Sequence, residues 1–190
     1  NAAELALLDT RNAGRPIRDT RNDVVRAADI WDFYGGLADK MRGASLLVPQ
    51  GYFAHTIREP WGVVGSIIPW NLPLVMACLK AAPALAAGNT VVLKPAGLTP
   101  LSALVLARLA AEAGIPDGVF NVVPGNGETA GAALAAHLDV DKIAFTGSTD
   151  VGRQIMRAAS GNIKGLTLEL GGKMPNIVFA DADLDSAAGA

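Results

Sequence analysis

The chain has 190 residues, of which 51% are hydrophobic and 18% charged, with a formal net charge of −2. That composition excludes a disordered chain, and without an excess of Lys and Arg it argues against a nucleic-acid binder. One cysteine and two histidines exclude an internal disulfide and a cysteine-rich zinc site, and they make a reducing, cytoplasmic setting the expectation. No apolar run reaches the roughly 20 residues of a membrane helix, so no membrane partner is expected. The opening at Asn1 and the stop inside a barely begun helix near Asp181 or Asp183 lead us to expect a piece of a longer chain.

In chain order, residues 1–43 form a charge-rich helical region. Val24, Ala28, Trp31 and Ala38 recur there at near-helical spacing, interrupted by Gly35-Gly36. Residues 44–60 read as a hairpin, with strands Ser45–Val48 and Tyr52–Arg58 around Pro49-Gln50-Gly51. His55 takes a solvated position in the second strand. From 61 to 190 strands and helices alternate. Strands are expected at Gly62–Ile68, Thr90–Leu93, Val119–Val123, Lys142–Phe145, Gly165–Leu170 and Asn176–Phe179. Helices are expected at Leu74–Ala87, Thr99–Ala113, Glu128–His137 and Thr149–Ala159. Strands that lack polar alternation are buried on both faces, so the pattern predicts an α/β fold with a doubly wound parallel sheet.

In such sheets ligands bind beyond the carboxyl ends of the strands. Phe145-Thr146-Gly147-Ser148-Thr149 is a strand, a glycine turn and a helix start. Its free N–H groups suit a phosphate, although Ser148 is equally readable as an N-cap. Gly125 to Gly131 imitates a dinucleotide fingerprint with one spacing too long. Asn71, just before a helix, is either an N-cap or an oxyanion donor. Glu169 ends an apolar strand beside Gly171-Gly172, where a carboxylate needs a partner or an acid/base role, and Lys94 and Lys173 are candidate partners. Cys78 sits mid-helix among apolar residues and reads as a core thiol. His137 receives no function.

Pro69-Trp70-Asn71-Leu72-Pro73, Lys94-Pro95-Ala96, Phe145-Thr146-Gly147-Ser148-Thr149 and Leu168-Glu169-Leu170-Gly171-Gly172-Lys173 stand in the order of the NAD(P)-dependent aldehyde dehydrogenase superfamily, which the chain resembles from about Asn22 to Asp183. The resemblance implies an aldehyde dehydrogenase-like Rossmann variant and oxidation of an aldehyde to an acid through a cysteine thioester. It gives Asn71 to the oxyanion, Glu169 to the general base and Lys80 to a proton relay. The implied set for NAD or NADP is Ile68, Pro69, Trp70, Lys94, Gly127, Gly147, Ser148, Val151 and Gly171. Leu72, Met76 and Leu79, at i, i+4 and i+7, would line the aldehyde tunnel.

The family's nucleophilic cysteine would lie downstream of residue 190, and Cys78 matches no catalytic position. These 190 residues alone are therefore expected to be inactive. Gly97 replaces the family's acidic ribose contact. Residues 44–60 would belong to an oligomerisation hairpin of a dimer or tetramer. A short-chain dehydrogenase is excluded because Tyr34 and Tyr52 are followed four residues on by Ala38 and Thr56, not Lys. A CoA-acylating aldehyde dehydrogenase and a nucleotide-binding module without catalysis are the rivals, and Glu169 argues against the first.

Overall fold

The computed structural model describes residues 1–188. Two helices open the chain, α1 (Ala2–Ala13) and α2 (Ile17–Gly35). Helix α1 stops because Gly14 adopts φ 72° and returns its N–H to the Thr10 carbonyl, the left-handed cap that glycine reaches without steric penalty. The Thr10 and Thr20 hydroxyls, 2.8 Å apart, tie the two helices together. A short antiparallel pair follows, β1 (Ser45–Leu46) with β2 (Ala54–His55), in the register Ser45 to His55. The predicted hairpin is thus present but much shorter than its apolar runs.

The rest builds a five-stranded parallel sheet in the order β5-β4-β3-β6-β7. Its elements are β3 (Val63–Ile67), α3 (Pro73–Ala86), β4 (Thr90–Lys94), α4 (Leu101–Glu112), β5 (Phe120–Val122), a π-helical turn (Gly127–Gly131) running into α5 (Ala132–Ala136), β6 (Lys142–Gly147), α6 (Thr149–Ala159) and β7 (Gly165–Leu170), with α7 (Leu184–Ala188) after it. Helices α3 and α4 cover one face, where Leu74, Ala77, Cys78, Ala103 and Leu106 close over Val91 and Leu93. Helices α5 and α6 cover the other, with Ala135 and Ile155 against Ile67, Ile143 and Phe145. In α6 the buried residues are Gly152, Ile155 and Ala159, one stripe at helical spacing. Gly152 admits Leu170 of β7 so closely that a Cβ would stand 2.6 Å from its methyl.

Three expectations change here. Asn176–Phe179 is not a strand: residues 171–179 carry no regular structure and are exposed. An apolar run becomes a strand only when a neighbour accepts its backbone hydrogen bonds, and no strand pairs with this segment among the described residues. Nor is β7 buried on both faces, since Thr167, Glu169 and Leu170 are exposed. The predicted helix Glu128–His137 begins with a π turn rather than an α turn. The start near Asp183 is confirmed, because its carboxylate accepts from the Asp185 and Ser186 N–H groups.

Candidate active site

All five strands of the sheet are parallel, so the loops after them gather at one edge. The loop after β3 carries Pro69, Trp70 and Asn71. Ile68 is buried, while Trp70 is 62% exposed. The N-cap reading of Asn71 is overturned: the N-cap of α3 is Leu72, which has no side-chain cap bond, and Pro73 occupies the first turn. The cap comes from α1 instead, where the Asp9 carboxylate accepts from Leu74 N–H at 3.4 Å. Pro73 needs no partner for a nitrogen that carries no hydrogen. The Asn71 amide is therefore left exposed and uncommitted to the helix.

Lys94, at the end of β4, is 3% exposed. Its Nζ donates to the Pro95 carbonyl at 2.7 Å and the Gly125 carbonyl at 3.0 Å, and burial pushes its pKa down. Lys94 passes against Gly131, where a Cβ would lie 3.3 Å from its stem. This puts it on the α5–α6 face with Ile67, whereas Glu169 pairs in register with Thr146 on the opposite face. Lys94 is thus not the partner of Glu169. Lys173, in the exposed stretch after β7, is not joined to it by an ion pair among the described residues.

The cation that does feel Glu169 is Lys80 of α3. Burial lowers its pKa, the Glu169 carboxylate opposes that shift, and Lys142 adds to it. Lys80 lines a cleft of about 310 Å³ with Trp61, Leu79, Lys142, Ala144 and Thr167. Lys142 Nζ stands 5.1 Å from the centre of the Trp61 ring. Of the three tunnel residues, Leu79 faces this cleft and is 39% exposed, whereas Met76 packs against the core under α3 and Leu72 is half-buried.

A second cleft, of about 370 Å³, opens on the other face between the π turn, α5 and α6. Gly127, Ala132, Ala135, Val151, Ile155 and Ala158 line it, with Glu128 and Gln154 also at its walls. Beside it, Ser148 Oγ caps α6 by accepting from Val151 N–H at 3.3 Å. Gly147 and Gly171 flank that turn, and Gly171 lies near the Thr149 hydroxyl. The Thr146 hydroxyl, at the end of β6, is buried without a hydrogen-bond partner among the described residues.

Cys78 is in the core. Burial pushes its thiol up to about 11, partly opposed by the Trp31 indole N–H, so no useful thiolate forms near neutrality. His137 and His55 stay exposed; the His137 ring accepts from Asp139 N–H.

The family model of the aldehyde dehydrogenase family matches residues 1–190. The chain belongs to that family. Within the aldehyde dehydrogenases it is 55% identical to an aldehyde dehydrogenase-like protein of Schizosaccharomyces pombe, over 99% of this chain and 38% of that protein. It is 54% identical to retinal dehydrogenase 2 of Homo sapiens, over 97% of this chain and 36% of the relative. The crystal structure of PnpE of Pseudomonas sp. WBC-3 in complex with nicotinamide adenine dinucleotide superposes with a TM-score of 0.97 at 53% identity, over 99% of this chain and 39% of that one. The chain therefore spans less than two fifths of the length of these aldehyde dehydrogenases.

Sequence reasoning missed Asp9, Asn12 and Arg15. Asn12 Nδ2 donates to Leu98 O at 3.0 Å and its Oδ1 accepts from Leu101 N–H at 3.2 Å. Arg15 donates to Asn71 O at 3.3 Å. Their partners lie 56 to 89 residues away, and the one local hint is a helix end, Asn12-Ala13-Gly14, crowded with polar groups.

Proposed function

We propose that this chain is the cofactor-binding part of an enzyme that oxidises an aldehyde to a carboxylic acid with NAD or NADP. The observation that carries the reading is the gathering of Asn71, Ser148 and Glu169 at the carboxyl edge of one parallel sheet, in a chain of this family. The apolar slot between the π turn and α6 suits a flat base, and the N-terminus of α6 suits a pyrophosphate. The orphaned Thr146 hydroxyl supplies a further polar contact at the same edge. These features fit a nicotinamide dinucleotide, which when bound supplies the acceptor for the electrons of the aldehyde.

In this reading the Asn71 amide donates to the aldehyde oxygen as negative charge develops there. Its freedom from capping leaves it available. The nucleophile is a thiol outside these residues, because Cys78 is buried with a raised pKa. Glu169, exposed at the end of β7, takes a proton from the water that releases the acid, and Lys80 sits behind it as a partly desolvated cation. Leu72 and Leu79, both aliphatic, favour an apolar aldehyde. The enzyme works as a homo-oligomer in the cytoplasm, with β1 and β2 at the subunit contact.

Glu169→Gln in the full-length gene product should keep a rapid burst of reduced cofactor while steady-state turnover falls roughly 10²–10⁴-fold. Unchanged turnover would remove Glu169 from the mechanism. Gly97 has space at its α-carbon, the nearest atom to a Cβ being Asn126 Oδ1 at 3.4 Å. No carboxylate stands at position 97 to repel a 2′-phosphate, so NADP is tolerated beside NAD. Gly97→Glu should raise the NAD/NADP ratio of kcat/KM; a ratio that stays put means that another residue sets the preference.

A further inference from the structure

The first turn of α3 and the first turn of α4 share an unusual deficit. Their N-cap residues, Leu72 and Pro100, supply no side-chain acceptor, yet both helices begin at the edge of the sheet where chemistry is expected. Helix N-termini leave several N–H groups without internal partners, and these need an acceptor from elsewhere. Both acceptors come from one helix that lies outside the sheet altogether. Asp9 of α1 takes the Leu74 N–H, and Asn12 takes the Leu101 N–H while donating to Leu98 O.

Arg15, just past the end of α1, completes the set. Its guanidinium is fixed at Asp23 of α2, with Nε at 3.1 Å and a terminal nitrogen at 2.8 Å from the same carboxylate oxygen. The remaining terminal nitrogen reaches the backbone carbonyl of Asn71 at 3.3 Å. A planar guanidinium held at one edge directs its other donor along a fixed line. Asn71 thus has its main chain tied on one side to α1–α2 and on the other, through Leu74, to Asp9. Its side chain takes no part in either tie.

We propose that α1 and its following turn form a clamp whose Arg15 is a positioning residue for Asn71, holding the backbone from which the Asn71 amide reaches the aldehyde oxygen. The proposal rests on Asn71 being the oxyanion donor. Hydrogen-bond stabilisation of developing charge depends steeply on placement, and an error of about 1 Å costs on the order of 10²-fold in rate. The chain therefore uses its first fifteen residues to aim a group that stands at position 71.

The test is a double-mutant cycle in the full-length gene product, read as the pre-steady-state rate of reduced-cofactor formation at saturating aldehyde. Arg15→Met should slow that rate roughly 10- to 100-fold with the cofactor KM unchanged, and Arg15→Lys should recover part of it. Asn71→Ala alone should be at least as slow, and adding Arg15→Met to it should cost nothing further. Equal losses from Arg15→Met in both backgrounds would overturn the proposal, because Arg15 would then act independently of Asn71. An unchanged rate in Arg15→Met beside a slow Asn71→Ala would overturn it too. If Asn71→Ala leaves the rate intact, the oxyanion reading fails by itself. The clamp is then decided by amide exchange of residues 70–74, which must quicken at least about tenfold in Arg15→Met to sustain it.

Discussion

Across one face of the sheet a row runs from Val91 through Val64 to Lys142, and the next runs from Leu93 through Ser66 and Ala144 to Thr167. Each row starts in closed core and ends in the open. Val91 and Leu93 lie fully buried under α3 and α4, while Thr167 is exposed and Lys142 half-buried beside Trp61. The same strand positions, on the same side of the same sheet, change from valine and leucine to lysine, threonine and glutamate as the helical cover stops. The polar groups proposed for the chemistry, Lys80 and Glu169, sit at this boundary. Lys80, the one charged residue of α3, stands between the two halves and feels burial from one and Glu169 from the other.

Substitutions can break or sharpen that contrast. The largest effect should come from the closed half: Leu93→Ala should cost about 2–5 kcal/mol in thermal or denaturant unfolding of the full-length gene product. Thr167→Ala, two strands away from β3 in the matching row, should stay within about 0.5 kcal/mol. Comparable losses at the two sites would mean that the open half is covered as tightly as the closed one.

An intermediate effect is expected at Asp9, a carboxylate only 2% exposed among the helices outside the closed half. Burial raises its pKa above the ordinary 3.8, against the pull of the Leu74 N–H. A raised carboxylate pKa favours the fold at pH below the ordinary value and loses that contribution as pH rises through the native value. Asp9→Asn keeps an acceptor for Leu74 without the charge. It should therefore match wild type in acid and exceed it in mildly alkaline buffer, whereas Asp9→Ala should lose about 1 kcal/mol with the cap. An Asn variant whose relative stability did not depend on pH would show that the charge is not the cost. In the open half Lys142→Met should likewise change stability by no more than about 1 kcal/mol, the worth of a half-exposed contact with Trp61.

Most of the sheet was legible because its strands are short apolar runs separated by helical spacing. The Val63–Ile67, Thr90–Lys94 and Lys142–Gly147 strands lie within two residues of where the residue pattern puts them. Asn176–Phe179 has the same apolar character and no strand, since periodicity reports a side chain's preference and says nothing about a pairing partner. Helix α1 was not singled out for a related reason. Its buried residues are Leu5, Ala6 and Asp9, and a buried aspartate breaks the apolar stripe by which helices are recognised. At the candidate site, the loop residues stand at the strand ends where the sequence pattern puts them, but the capping of α3 was not legible. An asparagine before a helix reads as its cap, and only the fold reveals that an aspartate 65 residues earlier already fills that role.

The strand order also governs when this sheet can exist. Strand β3 is the first of this sheet's strands in the chain and central in space, so it finds β4 early but must wait for β6. Its entry is completed by the Val63 N–H bond to Asp141, 78 residues on. During synthesis, β3, β4 and β5 emerge as a three-stranded half-sheet whose β3 edge is raw and apolar until the ribosome has delivered the second half. Long-range parallel pairing is slow, and an unpaired edge is sticky while it waits. A nascent chain whose emerged part includes β5 but not yet Lys142–Gly147 thus presents an open, apolar β3 edge for a chaperone to cover.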